Sequence, residues 1–205
     1  MDKLNHVFWG EIAPSDHFLQ IYESDEIFLD SLEAFANSGF ANDDGVIIIA
    51  TDSHLLALNR RLEKNYNLNK LKAERQYIPI DAENALSEIT NGDNIDEVKF
   101  HTLIDKLLSR VNKQRGGMVR VFGELVAILW GQGNRKAVIK LEKLWHELCS
   151  SGVLCLFCAY PKSGFRQDAI KSIKDICECH NNILENNTFS AELNIYGEKL
   201  SISST

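Results

Sequence analysis

The sequence lacks the phosphate-binding loop that nucleotide-binding α/β proteins carry between their first strand and first helix. A short apolar segment, residues 17–21, runs into the turn Tyr22-Glu23-Ser24-Asp25-Glu26. A phosphate cradle needs glycines and a lysine, and this turn has neither. Its three carboxylates lie where the phosphates would sit at the helix N-terminus. We therefore expect a scaffold of the nucleotide-binding type that serves another purpose.

The sequence also lacks a basic cluster and a long apolar run. Its net charge is −7 and its pI is near 5.4, so we expect no nucleic-acid partner and no anionic membrane surface. Residues 1–6 do not resemble a signal peptide, and no segment is apolar enough to span a bilayer. The odd number of cysteines, 5, fits a reduced compartment better than a disulfide framework. A soluble, cytoplasmic protein is expected.

Catalytic and metal-binding motifs are equally scarce. Glu124 with His54 could form an acid–base pair, but no Gly-x-Ser-x-Gly elbow or metal-binding histidine pair supports an enzyme. Enough residues of the types that bind zinc are present in Cys155-x2-Cys158 and Cys177-x-Cys179-His180. However, residues three apart in a strand face opposite sides, and residues two apart in a helix diverge by about 200°. We predict no catalytic residue, no metal site and no cofactor.

What the sequence does contain is a regular alternation of strands and helices. Strands are expected near 17–21, 46–50, 77–80, 118–122 and 153–160, and helices near 25–38, 55–62, 82–90, 100–111, 125–130, 137–149 and 165–184. Gly39 is expected to end the first helix, and Pro79 suggests that the third strand lies at an edge of the sheet or that the proline stands at a strand terminus. This pattern predicts an α/β fold with three layers and a mainly parallel, doubly wound sheet. One domain over residues 1–185 is expected, with residues 186–205 as a tail or hairpin.

In such sheets, ligands bind beyond the carboxyl ends of the strands, near the point where the strand order reverses. Polar and aromatic residues follow several of the predicted strands at that edge. The predicted ligand-binding residues are Tyr22, Glu23, Thr51, His54, Glu124 and Tyr160. Core packing is the competing interpretation for the tyrosines, and a solvated surface position is the competing one for His54.

Two further polar residues stand in apolar surroundings. Glu142 lies between Val138 and Trp145 on a helical wheel, so we expect it to be at least partly buried. A buried carboxylate needs a partner or a raised pKa. A structural hydrogen bond, to a turn or to Arg120, and a ligand role are both open. His17 opens a strand at the end opposite the predicted site, and structural hydrogen bonding is expected there.

Several short motifs stand in an order and spacing similar to those of a known family. They are His17-x4-Tyr22-Glu23, Ala50-Thr51 at the end of an apolar strand, Gly123-Glu124 before Leu129-Trp130, Leu141-Glu142-x2-Trp145, and Cys158-Ala159-Tyr160. Together they resemble the MEDS sensory domain, named after methanogen and methylotroph sensors, from His17 to His180. The resemblance implies a RecA-like relative of the circadian-clock ATPases without a Walker A motif, which senses small hydrocarbon derivatives. It also implies that Glu124 lies where those ATPases carry a magnesium-linked acidic residue.

The resulting prediction is a non-catalytic sensory domain that binds a small, largely apolar organic ligand. Binding would shift loops that a signalling partner reads, such as a kinase or a transcription regulator. A homodimer is left open. One alternative is a protein-interaction module whose pocket is filled by its own side chains. Another is a degenerate ATP-binding protein, in which the basic loop 114–117 approaches a phosphate without forming a P-loop.

Overall fold

The structure is a computed structural model that describes residues 9–113, 117–185, 188–190 and 192–201. Residues 114–116 of the basic loop lie outside the described residues. The described strands are β1 (His17–Tyr22), β2 (Gly45–Ala50), β3 (Tyr77–Asp81), β4 (Thr90–Asn91), β5 (Asn94–Ile95), β6 (Val119–Gly123), β7 (Cys155–Pro161), β8 (Asn182–Glu185), β9 (Thr188–Ser190), β10 (Glu192–Ile195) and β11 (Glu198–Ser201). The described helices are α1 (Asp25–Ala41), α2 (Asp52–Leu62), α3 (Leu68–Ala73), α4 (Ala82–Ile89), α5 (Glu97–Arg110), α6 (Leu125–Gly131), α7 (Arg135–Ser150) and α8 (Ile170–Cys177).

The central sheet has the strand order β3-β2-β6-β7-β1-β8-β9. All neighbouring strands pair in parallel except β8 and β9, which pair antiparallel. The buried faces of α1, α2 and α3 form one hydrophobic cluster with one side of the sheet, and those of α4 to α8 form another with the opposite side. The predicted three-layer, mainly parallel α/β fold is therefore confirmed.

Local sequence signals account for several element boundaries. Ser24 caps α1 by accepting a hydrogen bond from Ile27 N, and Asp25 and Glu26 occupy the first turn, where negative charge is favourable. The buried run of β2 forms an inner strand, paired with β3 on one side and β6 on the other. The strand that contains Pro79 lies at the edge of the sheet, as predicted.

The predicted end of the first helix is wrong. Gly39 lies inside α1, which continues to Ala41. A Cβ added at Gly39 would lie 2.6 Å from Val46 Cγ2 and 3.0 Å from Arg120 Cδ. The glycine is thus needed for close packing of α1 on the sheet rather than for a helix stop.

Arg120 is fully buried beneath this glycine. Its Nε donates to Asp44 Oδ2 at 2.6 Å, and one terminal nitrogen donates to the Trp9 carbonyl at 2.9 Å. The second oxygen of Asp44 accepts from Met118 N at 2.8 Å. The suggested contact between Arg120 and Glu142 is therefore wrong, because the arginine forms its ion pair in the opposite layer.

The predicted final helix over 165–184 is also wrong. The chain instead forms two short 3-10 turns, then α8, and then the strand β8. The helix α8 ends at Cys177, and Asn181 then joins the chain to the start of β1, since its side chain accepts from His17 N at 2.8 Å and donates to the Ser15 carbonyl. The following apolar residues Ile183 and Leu184 then pair with β1. A free edge of β1 is covered in this way.

Two small features were not predicted: α3 and the antiparallel pair β4–β5. The last antiparallel pair, β10–β11, lies within residues 186–205, for which a tail or a hairpin was expected. Leu193 and Leu200 of the last pair are buried in the cluster formed with α4 to α8. The division of the chain at residue 185 stays a prediction. Every helix within the described ranges is too short or too polar to span a lipid bilayer.

Candidate functional site

The carboxyl edge of the sheet brings together four of the predicted residues. We call Tyr22, Thr51, His54 and Glu124 the strand-edge site. Glu124 follows β6 directly, and its backbone N–H donates to the Ile49 carbonyl of β2 at 2.9 Å. Because β2 and β6 are parallel neighbours, their carboxyl ends present these side chains at one edge.

The Glu124 carboxylate is the centre of this site. One oxygen accepts from Thr51 N at 2.8 Å and from the Thr51 hydroxyl at 3.3 Å, and the other lies 2.8 Å from His54 Nδ1. The hydrogen bond to Glu124 raises the pKa of His54, against the opposing effect of burial. Glu124 thereby ties the end of β6 to the end of β2 and to the first turn of α2.

Aromatic rings form one wall of the strand-edge site. The Tyr22 ring stacks on Phe28 with centroids 5.0 Å apart, and Phe28 meets the His54 ring edge to face at 4.9 Å. Tyr22 is 7% exposed, and burial together with the nearby Glu124 and Asp25 carboxylates raises the pKa of its hydroxyl. The site therefore combines one charged acceptor with an apolar, largely buried wall.

Glu23 lies beside this site but points to the surface. Its carboxylate pairs with Lys162 Nζ at 2.8 Å, and the same lysine also lies 3.4 Å from Glu185. These side chains are substantially exposed, so the pairing is weak. A lysine thus does reach the corner between β1 and α1, but from the end of β7.

The structure does not bring Tyr160 into the strand-edge site. Successive residues of a strand face opposite sides of a sheet. Tyr22 faces the layer of α1 and α2, whereas Tyr160 faces the layer of α7 and α8. The Tyr160 ring is fully buried, and its hydroxyl donates to Glu142 Oε1.

Glu142 belongs to a second group of polar residues, which sequence reasoning did not assemble. We call His17, Glu142, Cys158 and His180 the core cluster. One ligand-type atom of each of these four side chains lies within 4.8 Å of the others, and all four side chains are buried. The expected burial of Glu142 is confirmed, and Tyr160 is its hydrogen-bond partner.

The shortest contacts in the core cluster involve Glu142 Oε2 and His17 Nε2. Glu142 Oε2 lies 3.7 Å from His17 Nε2 and 3.6 Å from His180 Nε2. Cys158 Sγ lies 3.6 Å from His17 Nε2. The His17 and His180 rings pack against each other with centroids 3.8 Å apart.

Burial favours the uncharged forms of the side chains in the core cluster. It raises the pKa of Glu142 to about 8, against the opposing hydrogen bond from Tyr160, and it lowers the pKa of His180 to about 3. Burial and the nearby His180 hold the pKa of His17 well below its usual value, and burial raises the pKa of the Cys158 thiol. The polar atoms are thus held in a fully buried, charge-poor part of the core.

Partial signals for the core cluster are present in the sequence. His17 opens a buried strand, and Glu142 interrupts an apolar helical stripe. The cysteine motifs of the sequence contain residues that are close along the chain, whereas these four residues come from β1, α7, β7 and the segment after α8. Only the packing of α7 and α8 on the sheet brings them together.

Comparison with known proteins supplies a family match. The family model of MEDS, described as the MEthanogen/methylotroph, DcmR Sensory domain, matches residues 16–181. No curated protein sequence matches the chain. A protein from Pyrococcus horikoshii OT3, solved as a structural study, is similar in fold with a TM-score of 0.52 and 13% identity. The alignment covers 87% of this chain and 85% of that one, so the likeness extends over most of both folds.

Proposed function

This chain belongs to the MEDS sensory-domain family, and on that premise we propose that it binds a small organic molecule at the strand-edge site. The ligand has a largely apolar body and one hydrogen-bond donor, such as a hydroxyl or amine. Its donor replaces one of the hydrogen bonds now made to Glu124, and its body packs against Tyr22 and Phe28. Membership of the family supports a sensory role, and the hydrogen bonds of Glu124 support the position of the ligand-binding site.

The observation that carries this proposal is the set of hydrogen bonds made by one carboxylate. Glu124 joins two neighbouring strand ends and the start of α2 through Thr51 and His54. A ligand that takes one of those bonds changes the position of two loops at once. A partner protein, such as a kinase or a transcription regulator, would read that displacement from the surface.

The polarity of the strand-edge site indicates the ligand class. A carboxylate next to rings favours a neutral or cationic donor group over an anion. Phosphate is disfavoured, since Glu23, Asp25 and Glu26 place negative charge at the start of α1. Small alcohols, amines and similar hydrocarbon derivatives fit both conditions.

Native mass spectrometry of the purified chain tests this function. A retained small molecule is expected on the wild-type protein and is expected to be lost from Glu124→Gln. Glu23→Gln is the matched control, because it removes a neighbouring carboxylate that pairs only at the surface. A ligand retained equally by both variants would place binding elsewhere. No retained molecule, and no saturable binding of small alcohols or amines in titration calorimetry, would contradict the proposal.

A second candidate function is a protein-interaction module with a filled pocket. The observation in its favour is that Glu124 already accepts three hydrogen bonds from its own chain. The same mass spectra distinguish the two, since an interaction module gives a specific partner mass, or a homodimer, without a small molecule.

The degenerate ATP-binding alternative has less support. The corner between β1 and α1 offers Glu23 and Ser24 in place of a glycine cradle, and the lysine that reaches it pairs with two carboxylates. A calorimetric titration with ATP and magnesium decides this alternative. Saturable heat that depends on Lys162 would favour nucleotide binding over the sensory ligand.

A further inference from the structure

We propose that the core cluster is a divalent transition-metal site, with zinc as the ion that its ligands fit. The ligands are His17 Nε2, His180 Nε2, Cys158 Sγ and Glu142 Oε2. This inference is independent of ligand binding at the strand-edge site, which lies at the carboxyl edge of the sheet on the opposite face. It concerns four side chains that nothing in the proposed sensory mechanism uses.

The two histidines show how the cluster is oriented. His17 Nδ1 lies 2.8 Å from the Cys179 carbonyl, and His180 Nδ1 lies 2.7 Å from the Ile176 carbonyl. A carbonyl oxygen only accepts, so each Nδ1 carries the hydrogen and donates it. Each neutral ring therefore has its lone pair on Nε2, which faces the cluster. A backbone carbonyl that holds the outer nitrogen is the usual support of a metal-binding histidine.

The inward-facing polar atoms do not satisfy one another, because 3.6 Å is too long for a hydrogen bond between Glu142 Oε2 and His180 Nε2, whichever of the two carries a proton. Within the described part of the chain, Glu142 Oε2 and His180 Nε2 have no hydrogen-bond partner, although both are buried and lie 3.6 Å apart. A Cys158 thiol can donate to His17 Nε2 at 3.6 Å, which leaves the other two atoms unpaired. Buried polar atoms without partners are costly, so a group that satisfies them together is expected.

The spacing of these atoms suits a tetrahedral ion. Zinc–ligand distances of about 2.0–2.3 Å give edges of about 3.3–3.8 Å between neighbouring ligand atoms. Three edges of the cluster measure 3.6, 3.7 and 3.6 Å. A thiolate and a carboxylate would balance the charge of a divalent cation, so the buried site becomes neutral when it is filled. Four protein ligands also match the closed coordination of structural zinc sites.

Tyr160 lies outside the proposed set of ligands and orients one of them, Glu142. Its hydroxyl holds Glu142 Oε1, which leaves Oε2 directed at the two histidines. Hydrogen bonds of this kind fix a ligating carboxylate and tune affinity for the metal. Tyr160 is therefore a positioning residue for the proposed site and not a ligand.

A surface cleft between α7 and α8 lies next to the core cluster. It has a volume of about 420 Å³ and includes Cys179, whose carbonyl supports His17. The cleft is lined by Ile139, Lys143, His146, Asp175, Glu178 and Cys179. Because the ligands themselves are buried, we expect the ion to enter during folding or through opening of this cleft.

The first test is the metal content of the chain purified without an affinity tag or a chelator. About one zinc per chain is expected in elemental analysis, in a form that survives dialysis. Cys158→Ser and His180→Gln are expected to lose most of it. The matched controls are Cys155→Ser, a buried cysteine on the other face of β7, and His101→Gln, a histidine of α5 outside both the cluster and the cleft. Both controls are expected to keep the metal.

The second test uses cobalt as a spectroscopic probe. The protein is unfolded, its metal is removed with a chelator, and it is refolded with Co²⁺. A thiolate-to-cobalt absorption band is then expected in the wild-type chain and in Cys155→Ser, and it is expected to be absent in Cys158→Ser. Tyr160→Phe is expected to keep the band and to weaken affinity about tenfold to a hundredfold. A folded wild-type chain with no bound metal and no cobalt band would overturn the proposal. Equal loss in the cluster variants and the controls would overturn it as well.

Discussion

His17 and His180 pack ring against ring in the core, with centroids 3.8 Å apart, although one opens β1 and the other precedes β8. The parallel pairing of β8 with β1 brings the two together, since Phe18 and Asn182 are partners in that register. The docking of the last parallel strand thus completes the core cluster.

Breaking the buried ion pair between Asp44 and Arg120 is expected to be strongly destabilising. Asp44→Asn leaves the arginine charge buried without its counter-charge, and a loss of about 3–5 kcal/mol in the free energy of unfolding is expected. Urea denaturation measures it. The control is Lys70→Ala, which removes an exposed pair with Glu74 at 3.9 Å and should change stability by less than about 0.5 kcal/mol. Equal effects of the two changes would contradict the role of burial.

Gly39→Ala is expected to destabilise the chain although alanine is the better helix former. The added Cβ would overlap Val46 and crowd Arg120, which costs about 1–3 kcal/mol and exceeds the gain of about 1 kcal/mol in helix propensity. Gly131→Ala is the matched control, since it lies at the end of α6 with open space around it. Chemical denaturation should show it neutral or slightly stabilising. A stabilised Gly39→Ala variant would refute close packing at this position.

The hydrogen bond between His54 and Glu124 predicts a pH-dependent contribution to stability. The folded pKa of His54 is raised above its ordinary value of 6.5. Its contribution is therefore fully present below pH 6.5 and is lost as the pH rises through the folded pKa. The stability difference between wild type and His54→Gln, about 1 kcal/mol at pH 6, should shrink at alkaline pH.

Histidine titration by NMR measures the same linkage directly. The pKa of His54 is expected to fall in Glu124→Gln, because the burial that opposes protonation then acts without the carboxylate. It should stay unchanged in Glu23→Gln. A His54 pKa that does not respond to Glu124→Gln would disprove the coupling.

Tyr160→Phe is expected to destabilise the chain by about 1–3 kcal/mol, because it leaves Glu142 Oε1 buried without its donor. Tyr77→Phe serves for comparison, since that hydroxyl donates to Asn59 at 2.9 Å in a partly buried place. A smaller loss, about 0.5–1.5 kcal/mol, is expected there. Thermal and urea unfolding of both variants provide the measurement. Equal losses would mean that full burial of Glu142 adds nothing.

Much of the fold could be predicted from the sequence because the relevant signals are local. The cap at Ser24 starts α1, the β-branched run of β2 has the composition of an inner strand, and Pro79 marks an edge strand. The alternation of strands and helices then gives the three layers. Residues that follow neighbouring strands, such as Thr51 and Glu124, could be placed at one edge by the same rule.

The remaining features depend on contacts between distant segments, which local periodicity does not encode. Val46 and Arg120 pack against Gly39, and these contacts decide that the glycine lets the sheet approach α1 instead of ending the helix. The apolar residues around Ile183 are compatible with a helix or a strand, and the free edge of β1 selects the strand. The sequence by itself determined the layers and placed Tyr22, Thr51, His54 and Glu124 at one edge of the sheet, because both follow from local strand and helix signals. The tertiary structure decided the core cluster, because four side chains from separate elements become neighbours only when helices and sheet pack.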